Sequence, residues 1–336
     1  MNIQLSKMRK YIAGFGLLVA VSLVGVAITT TSFAQTDGDA TTANSLKVSP
    51  LRTDISADPG ETKVVKITIG NPTSSAVSVR PVQNDFVADG EDGTPALILE
   101  ESEYASSHSL KQFLQPLDSF TLEGGESKTI EATIVVPENA EAGGYFGAVR
   151  FMPTSPDEGG QVNLSASVAS LILLTVNGDA PEKLTLTDFT VQQQGRSATF
   201  FTTGDNMSIS IRFKNEGNLQ AGPFGNISVT KGGEVLYQTE FNNSDPRGMV
   251  LPDSARRWSE SIENISGFGK YTVSAVFTYG SNNQTIEVTK SFWVIPLPII
   301  ISAIAILILI IGAIIGLVLY RRRRKNNMSL SGSKRR

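Results

Sequence analysis

Met207-Ser208-Ile209-Ser210-Ile211-Arg212-Phe213-Lys214 alternates apolar and polar residues without an exception. A strand turns successive side chains to opposite faces, so this octet reads as a strand with one face in a core and the other in water. The same period recurs on both sides of it. Val65, Ile67 and Ile69 alternate with Lys66 and Thr68, and Ile130, Ala132, Ile134 and Val136 alternate with Thr129, Glu131, Thr133 and Val135. Tyr145, Gly147, Val149 and Phe151 share a face, as do Tyr271, Val273, Ala275, Phe277 and Tyr279. Ser167 to Val176 is more continuously apolar, as expected of a central strand covered on both faces.

Turn residues punctuate these runs. Asn71-Pro72-Thr73, Asn215-Glu216-Gly217-Asn218 and Gly280-Ser281-Asn282-Asn283 close strands, and Lys231-Gly232-Gly233 joins Ile227/Val229 to Val235/Tyr237 as a hairpin. Strands every 8 to 12 residues with turn chemistry between them point to sandwiches. Asn177-Gly178-Asp179-Ala180-Pro181 divides the series. The fold class is therefore all-β, two tandem antiparallel Ig-like β-sandwiches, at 46–178 and 179–295, plus one C-terminal transmembrane helix. Pro59-Gly60-Glu61-Thr62-Lys63 and Gly124-Gly125-Glu126-Ser127-Lys128 each precede a strand. They read as equivalent corners of one sandwich, since the 65-residue interval is too short for a whole domain of about 100. Leu110, Phe113 and Leu114 stand at i, i+3 and i+4, which predicts a short helix within Ser106–Gln115.

Beyond the second sandwich, Ile299 to Tyr320 is an unbroken apolar run of 22 residues. At about 1.5 Å per residue it covers the roughly 30 Å core of a bilayer. Arg321-Arg322-Arg323-Arg324-Lys325 follows at once and opens a basic tail, 321–336, on the cytoplasmic side. Lys7, Arg9 and Lys10, the apolar Tyr11–Ile28 and Ser32-Phe33-Ala34 have the layout of a signal peptide over 1–34, with an uncleaved anchor as the alternative. Residues 35–45 are a Thr, Asp, Ala and Gly spacer. These segments predict a single-pass cell-membrane protein with an N-terminal ectodomain outside. No Leu-Pro-x-Thr-Gly motif precedes the span, so permanent retention in the membrane is expected. Trp293, beside Pro296 and Pro298, reads equally as an interface aromatic and as a core residue.

The formal charge of −3 hides a division. Residues 35–298 hold 18 cations and 32 acids, while the tail holds eight cations and no acid. An acidic ectodomain argues against a nucleic-acid partner, because phosphate contacts need a basic face. Cysteine is absent, so the ectodomain is held by its cores, and a bacterial envelope suits such a chain better than an animal cell surface. Asn-x-Ser/Thr sequons stand at Asn163, Asn206, Asn226, Asn242, Asn264 and Asn283.

Little in the chain offers catalysis. The one histidine, His108, cannot make a multi-His metal site, and no Gly-x-Ser-x-Gly elbow accompanies it. No cofactor is expected. Asp89, Glu91 and Asp92 form the densest acidic loop, with two readings: a Ca²⁺ site, or a polar turn held by Asx hydrogen bonds.

Several stretches resemble the N-terminal domain of bacterial WxL-interacting proteins. They are Leu46-Lys47-Val48-Ser49-Pro50, Asp58-Pro59-Gly60-Glu61-Thr62, Ser109-Leu110-Lys111-Gln112-Phe113-Leu114, Phe120 to Lys128, and Val136-Pro137 through Gly143-Gly144-Tyr145-Phe146-Gly147-Ala148-Val149. The resemblance covers about 46 to 176, and the order of segments is similar too. It implies a peptidoglycan-binding first domain and a protein-binding second domain. Tyr145 and Phe146, beside two glycines, are the residues expected to stack on sugar rings, with a core role for Tyr145 as the other reading. The expected partner is peptidoglycan or a surface protein. The alternatives are a structural or assembly subunit that packs by strand addition, and a cell-wall hydrolase whose carboxylate pair nothing singles out.

Overall fold

The computed structural model describes residues 46–154 and 166–331. The expected signal peptide and spacer lie outside the described residues, as does the sequon Asn163. Nine strands make the first half: β1 (Lys47–Ser49), β2 (Arg52–Ala57), β3 (Thr62–Gly70), β4 (Val77–Asp89), β5 (Thr94–Leu97), β6 (Phe120–Leu122), β7 (Ser127–Val135), β8 (Gly143–Thr154) and β9 (Val168–Val176). Nine more make the second: β10 (Leu184–Gln193), β11 (Arg196–Ser197), β12 (Phe200–Phe201), β13 (Met207–Asn215), β14 (Phe224–Lys231), β15 (Glu234–Phe241), β16 (Ala255–Ile262), β17 (Gly269–Tyr279) and β18 (Gln284–Val294). One helix, α1 (Leu297–Ser331), follows.

In the first half a three-stranded sheet, β1-β3-β7, faces a sheet ordered β2-β9-β8-β4-β5, with β6 paired to β4. The core lies between them. Val65, Ile67 and Ile69 of β3 and Ala132 and Ile134 of β7 meet Val79, Val149, Phe151, Ile172 and Leu174 of the opposite sheet. The two corners noticed in the sequence precede neighbouring strands, since β3 pairs antiparallel with β7. Their geometry is the same. Gly60 and Gly125 sit at φ +82° and +78°, the left-handed position that a type II turn requires. Glu61 accepts the Asp58 N–H at 2.9 Å, and Glu126 accepts the Glu123 N–H at 2.7 Å.

The second half repeats the plan with sheets β11-β10-β13-β16 and β12-β18-β17-β14-β15. Ile209, Ile211 and Phe213 are buried as the alternation predicts. Phe213 and Phe241 stand edge-on or tilted to Phe277 at centroid distances of 5.1 and 5.0 Å, the geometry that ring quadrupoles favour. Trp293 is settled by the same alternation: Phe292 and Val294 point into the core, and Trp293 points out.

Two expectations need correction. The sandwiches are not wholly antiparallel: β2 runs parallel to β9, and β12 parallel to β18. In both cases the chain crosses from one sheet to the other, at Pro50-Leu51 and at Ala198-Thr199, and lands on an outer edge already travelling in that direction. The helix expected within Ser106–Gln115 is only a 3-10 turn, Lys111–Phe113. Asp85, fully buried, takes the Lys111 N–H at 2.8 Å, and Thr133 takes the Gln115 N–H at 2.9 Å, so the backbone is claimed by the sheets before a second turn can form.

Four of the sequon asparagines serve turns. Asn206, Asn242, Asn264 and Asn283 all have φ between +50° and +61°, a region Asn enters more readily than other non-glycine residues. Within α1, an 18-residue stretch of Leu297–Arg321 has a mean hydropathy of 3.1 and none of that stretch is buried against the sandwiches. Leu297–Arg321 is long and apolar enough to cross a membrane. The helix begins two residues before the expected span and its backbone continues through Arg322, Arg323, Arg324 and Lys325 to Ser331.

Candidate functional site

The sequence pointed to the acidic loop and to the Gly-Gly-Tyr-Phe stretch, and both lie at the joint between the two sandwiches. The loop is the tip of the β4–β5 hairpin. Glu91 reaches across to the second sandwich. It accepts Arg212 Nε at 2.9 Å and Nη2 at 2.7 Å, and Arg257 Nε at 3.2 Å. Its carbonyl also accepts the Arg257 N–H at 2.6 Å. Arg257 in turn donates to Asp188 at 2.7 Å and to Ser210 at 2.8 Å. Hydrogen bonds from Arg212 hold the Glu91 carboxyl below the usual carboxylate range, with Arg257 adding to the effect.

This arrangement matches the polar-turn reading of the loop. Glu91 is committed to two guanidinium groups, Asp92 accepts the Thr94 N–H at 2.8 Å in an Asx turn, and Asp89 ends β4 opposite Thr94. Among the described residues no group of three or more His, Cys, Asp or Glu is placed to hold a metal ion.

Gly143 and Gly144 open β8 and meet the loop that follows β13. The Gly144 N–H donates to the Asn218 carbonyl at 2.8 Å, and Asn218 Nδ2 donates to the Ala142 carbonyl at 2.7 Å. A Cβ on Gly144 would stand 2.5 Å from Gln220 Oε1 and 2.6 Å from the Phe146 ring. The glycine leaves the space that these two side chains, Gln220 and Phe146, occupy. Gln220 also donates to Thr175 at 2.9 Å.

Phe146 therefore cannot stack on a sugar: its ring is 3% exposed. With Phe86 and Leu173 it makes a third, small core, closed from the second sandwich by Met249 and Leu251. Tyr145, on the opposite face of β8, is half-buried; its ring lies 4.8 Å from that of Phe113, and its hydroxyl donates to the Glu141 carbonyl at 2.9 Å. Burial pushes that hydroxyl's pKa up. The core reading of Tyr145 is the one its contacts match. His108, at φ +60°, braces the same corner: its Nδ1 lies 2.6 Å from the Gly144 carbonyl, which can only accept, so Nδ1 carries the proton. Asp85 supports it from below, accepting from Ser109 at 2.6 Å and from the Ala105 N–H at 2.9 Å.

An apolar cavity of about 80 Å³ remains inside the joint, between Phe86, Leu171, Leu173, Met249 and Leu251. Small-ligand pockets run from roughly 300 Å³ upward, so this is room for a few waters. Arg256 closes it, its guanidinium 4.8 Å from the Trp258 ring centroid and donating to the Met249 carbonyl at 3.1 Å. Burial and the nearby Arg52 charge lower the Arg256 pKa. Ion pairs, backbone hydrogen bonds and an apolar plug thus fasten the two halves, which is a positioning role. The joint was not visible in the sequence because its partners lie 45 to 195 residues apart. Its one local signal was the Gly-Gly pair.

No family model matches the chain, and no curated protein matches it. Solved structures do. The class 5 fimbriae chaperone CfaA is 13% identical over 75% of this chain and 100% of its own, with a TM-score of 0.38. The Pseudomonas aeruginosa CupB2 chaperone is 10% identical over 71% of this chain and 97% of its own, with a TM-score of 0.32. A family 123 glycoside hydrolase from Clostridium perfringens is 17% identical over 38% of this chain and 22% of its own, with a TM-score of 0.26.

Proposed function

We propose that the chain is a non-enzymatic, membrane-anchored binding protein of a bacterial cell surface, whose two Ig-like sandwiches hold peptidoglycan or a neighbouring surface protein. The observation that carries this reading is the direct passage from the last strand, β18, into the apolar helix α1 with only Ile295 and Pro296 between. The signal-like amino terminus supports export, and the five cations after Tyr320 support an ectodomain outside and a tail inside. The likeness of residues 46–176 to WxL-interacting proteins supports the wall as partner. With Phe146 occupied in the joint, the first sandwich offers instead the open face of β3 and β7. Val64 and Val135 are exposed there, among Thr62, Thr68, Thr129 and Thr133. Tethering raises the effective concentration of weak contacts with a polymer.

A second reading has its own observation. β15 is the last strand of its sheet, eight residues long, with Val235 exposed. Such an edge accepts a strand from another chain. Full-length protein in detergent, incubated with purified cell wall, separates the two. Retention that Val64→Glu with Val135→Glu abolishes supports wall binding through that face. No retention, together with one discrete protein adduct on cross-linking intact cells, supports strand addition. Hydrolysis of wall substrate in a gel would overturn the non-enzymatic reading.

A further inference from the structure

Among the described residues the exposed Phe and Trp side chains are Phe200, Phe268 and Trp293, and they gather at one end of the second sandwich. They come from three separate segments. Phe200 stands opposite Trp293 in the β12–β18 pairing, where the Trp293 N–H donates to the Thr199 carbonyl at 2.8 Å. The Phe268 and Trp293 rings are 6.1 Å apart. Lys270 is the partner of Trp293 on its other side, exposed and directed to the same face. Three large rings in water are a costly arrangement that marks a contact surface.

The place of the cluster says what covers it. Val294 pairs with Gly269 at this end, and the chain then leaves for the apolar helix at Leu297. Four residues span at most about 14 Å, so Trp293 is held close to the first apolar turn. The nearest extended surface is the headgroup layer of the bilayer that α1 crosses. That layer favours Trp and Phe with a Lys whose stem lies along apolar groups and whose ammonium reaches phosphate. We propose that Phe200, Phe268 and Trp293 form a lipid seat, inserted at headgroup level in the leaflet from which α1 emerges, which docks the second sandwich on the membrane. The proposal rests on the membrane-anchor part of the proposed function.

The chain has no cysteine, so one introduced thiol carries a single spin label. Ser266→Cys puts the label beside the cluster and keeps all three rings, and Ser281→Cys puts it on the β17–β18 turn at the opposite end. The full chain is reconstituted in vesicles of phosphatidylcholine and phosphatidylglycerol. Label accessibility to oxygen, which concentrates in lipid, is compared with accessibility to a water-soluble nickel chelate. The seat requires position 266 to favour oxygen and position 281 to favour nickel. It also requires Phe200→Ser, Phe268→Ser and Trp293→Ser together to shift position 266 toward nickel while the protein still floats with the vesicles. A floating protein in which positions 266 and 281 behave alike overturns the seat and leaves the anchor standing. Protection of position 266 from both reagents also overturns it, in favour of a second copy of the chain on this face. Protein that does not float overturns the anchor, and the seat with it.

Discussion

Asn71 and Asn215 occupy the same station in their respective sandwiches. Each ends the strand before a cross-over, each accepts the N–H two residues on, from Thr73 at 3.1 Å and from Gly217 at 2.9 Å, and each donates Nδ2 to the carbonyl four residues on, of Ser75 and Leu219, at 2.7 Å. Each also reaches a distant carbonyl, of Leu122 at 3.2 Å and of Val250 at 2.9 Å. Both are buried. The two halves share this corner although their sequences around it, Gly70-Asn71-Pro72-Thr73 and Lys214-Asn215-Glu216-Gly217, have little else in common.

Removing either side chain takes one donor from each of two carbonyls and the acceptor from a turn N–H, that of Thr73 or Gly217. Asn215→Ala is expected to cost about 1–3 kcal/mol. Asn215→Asp should cost no less, since a carboxylate cannot donate to the Leu219 and Val250 carbonyls. The midpoint of urea denaturation measures both.

Asp85 is the second such point. Its two oxygens receive the Lys111 and Ala105 N–H groups and the Ser109 hydroxyl. In Asp85→Asn one side-chain position becomes an NH₂ facing a backbone N–H, and the Ser109 hydroxyl alone can turn to accept. A loss of about 1–3 kcal/mol follows, with hydrogen exchange at Ala105 or Lys111 accelerating first.

The Glu91 latch depends on pH. Its folded pKa is depressed, so its contribution is present above the unfolded value, about 4.3, and is lost as pH falls through the lower folded value. Acidification should loosen the joint, seen as a lower protection factor at the Arg257 N–H once the intrinsic exchange rate at each pH is divided out. Salt should weaken the latch in the same direction, because the group is solvent-exposed. Glu91→Gln should show the low protection factor at all pH and lose this dependence.

Gly144→Ala is expected to destabilise by about 1–3 kcal/mol, the range for forced overpacking. Pairing it with Gln220→Ala removes one of the two clashing groups and should recover part of the loss, as read by thermal unfolding.

The alternation of Met207–Lys214 named a strand and the face it buries, because a period of two is written in adjacent residues. Leu184, Leu186 and Phe189 break that period, and the break has a structural counterpart: the β10–β13 register shifts between Leu186 and Asp188, so one extra residue returns Phe189 to the core. The site was less legible. Glu91 looked like a cation ligand because acids gather around it, and the arginines that claim it, Arg212 and Arg257, lie more than a hundred positions away. Phe146 looked like a surface ring beside glycines, while those glycines mark the approach of the 218–220 segment. A local pattern reports which residues are special. The side of the chain they serve is decided by what folds against them.

The segment between the sandwiches and the one before the helix are the two places where such a chain would normally swing, and both are tied. Asn218 and Glu216 donate their N–H groups to the carbonyls of Pro181 and Lys183 at 2.8 Å, and the Ile295 N–H donates to the Phe201 carbonyl at 2.8 Å. Anchored in a bilayer, the first sandwich would stand at a constant height above the lipid. Its position along the membrane would then change only by lateral drift of the whole molecule, and a pull on it would pass into the helix without slack.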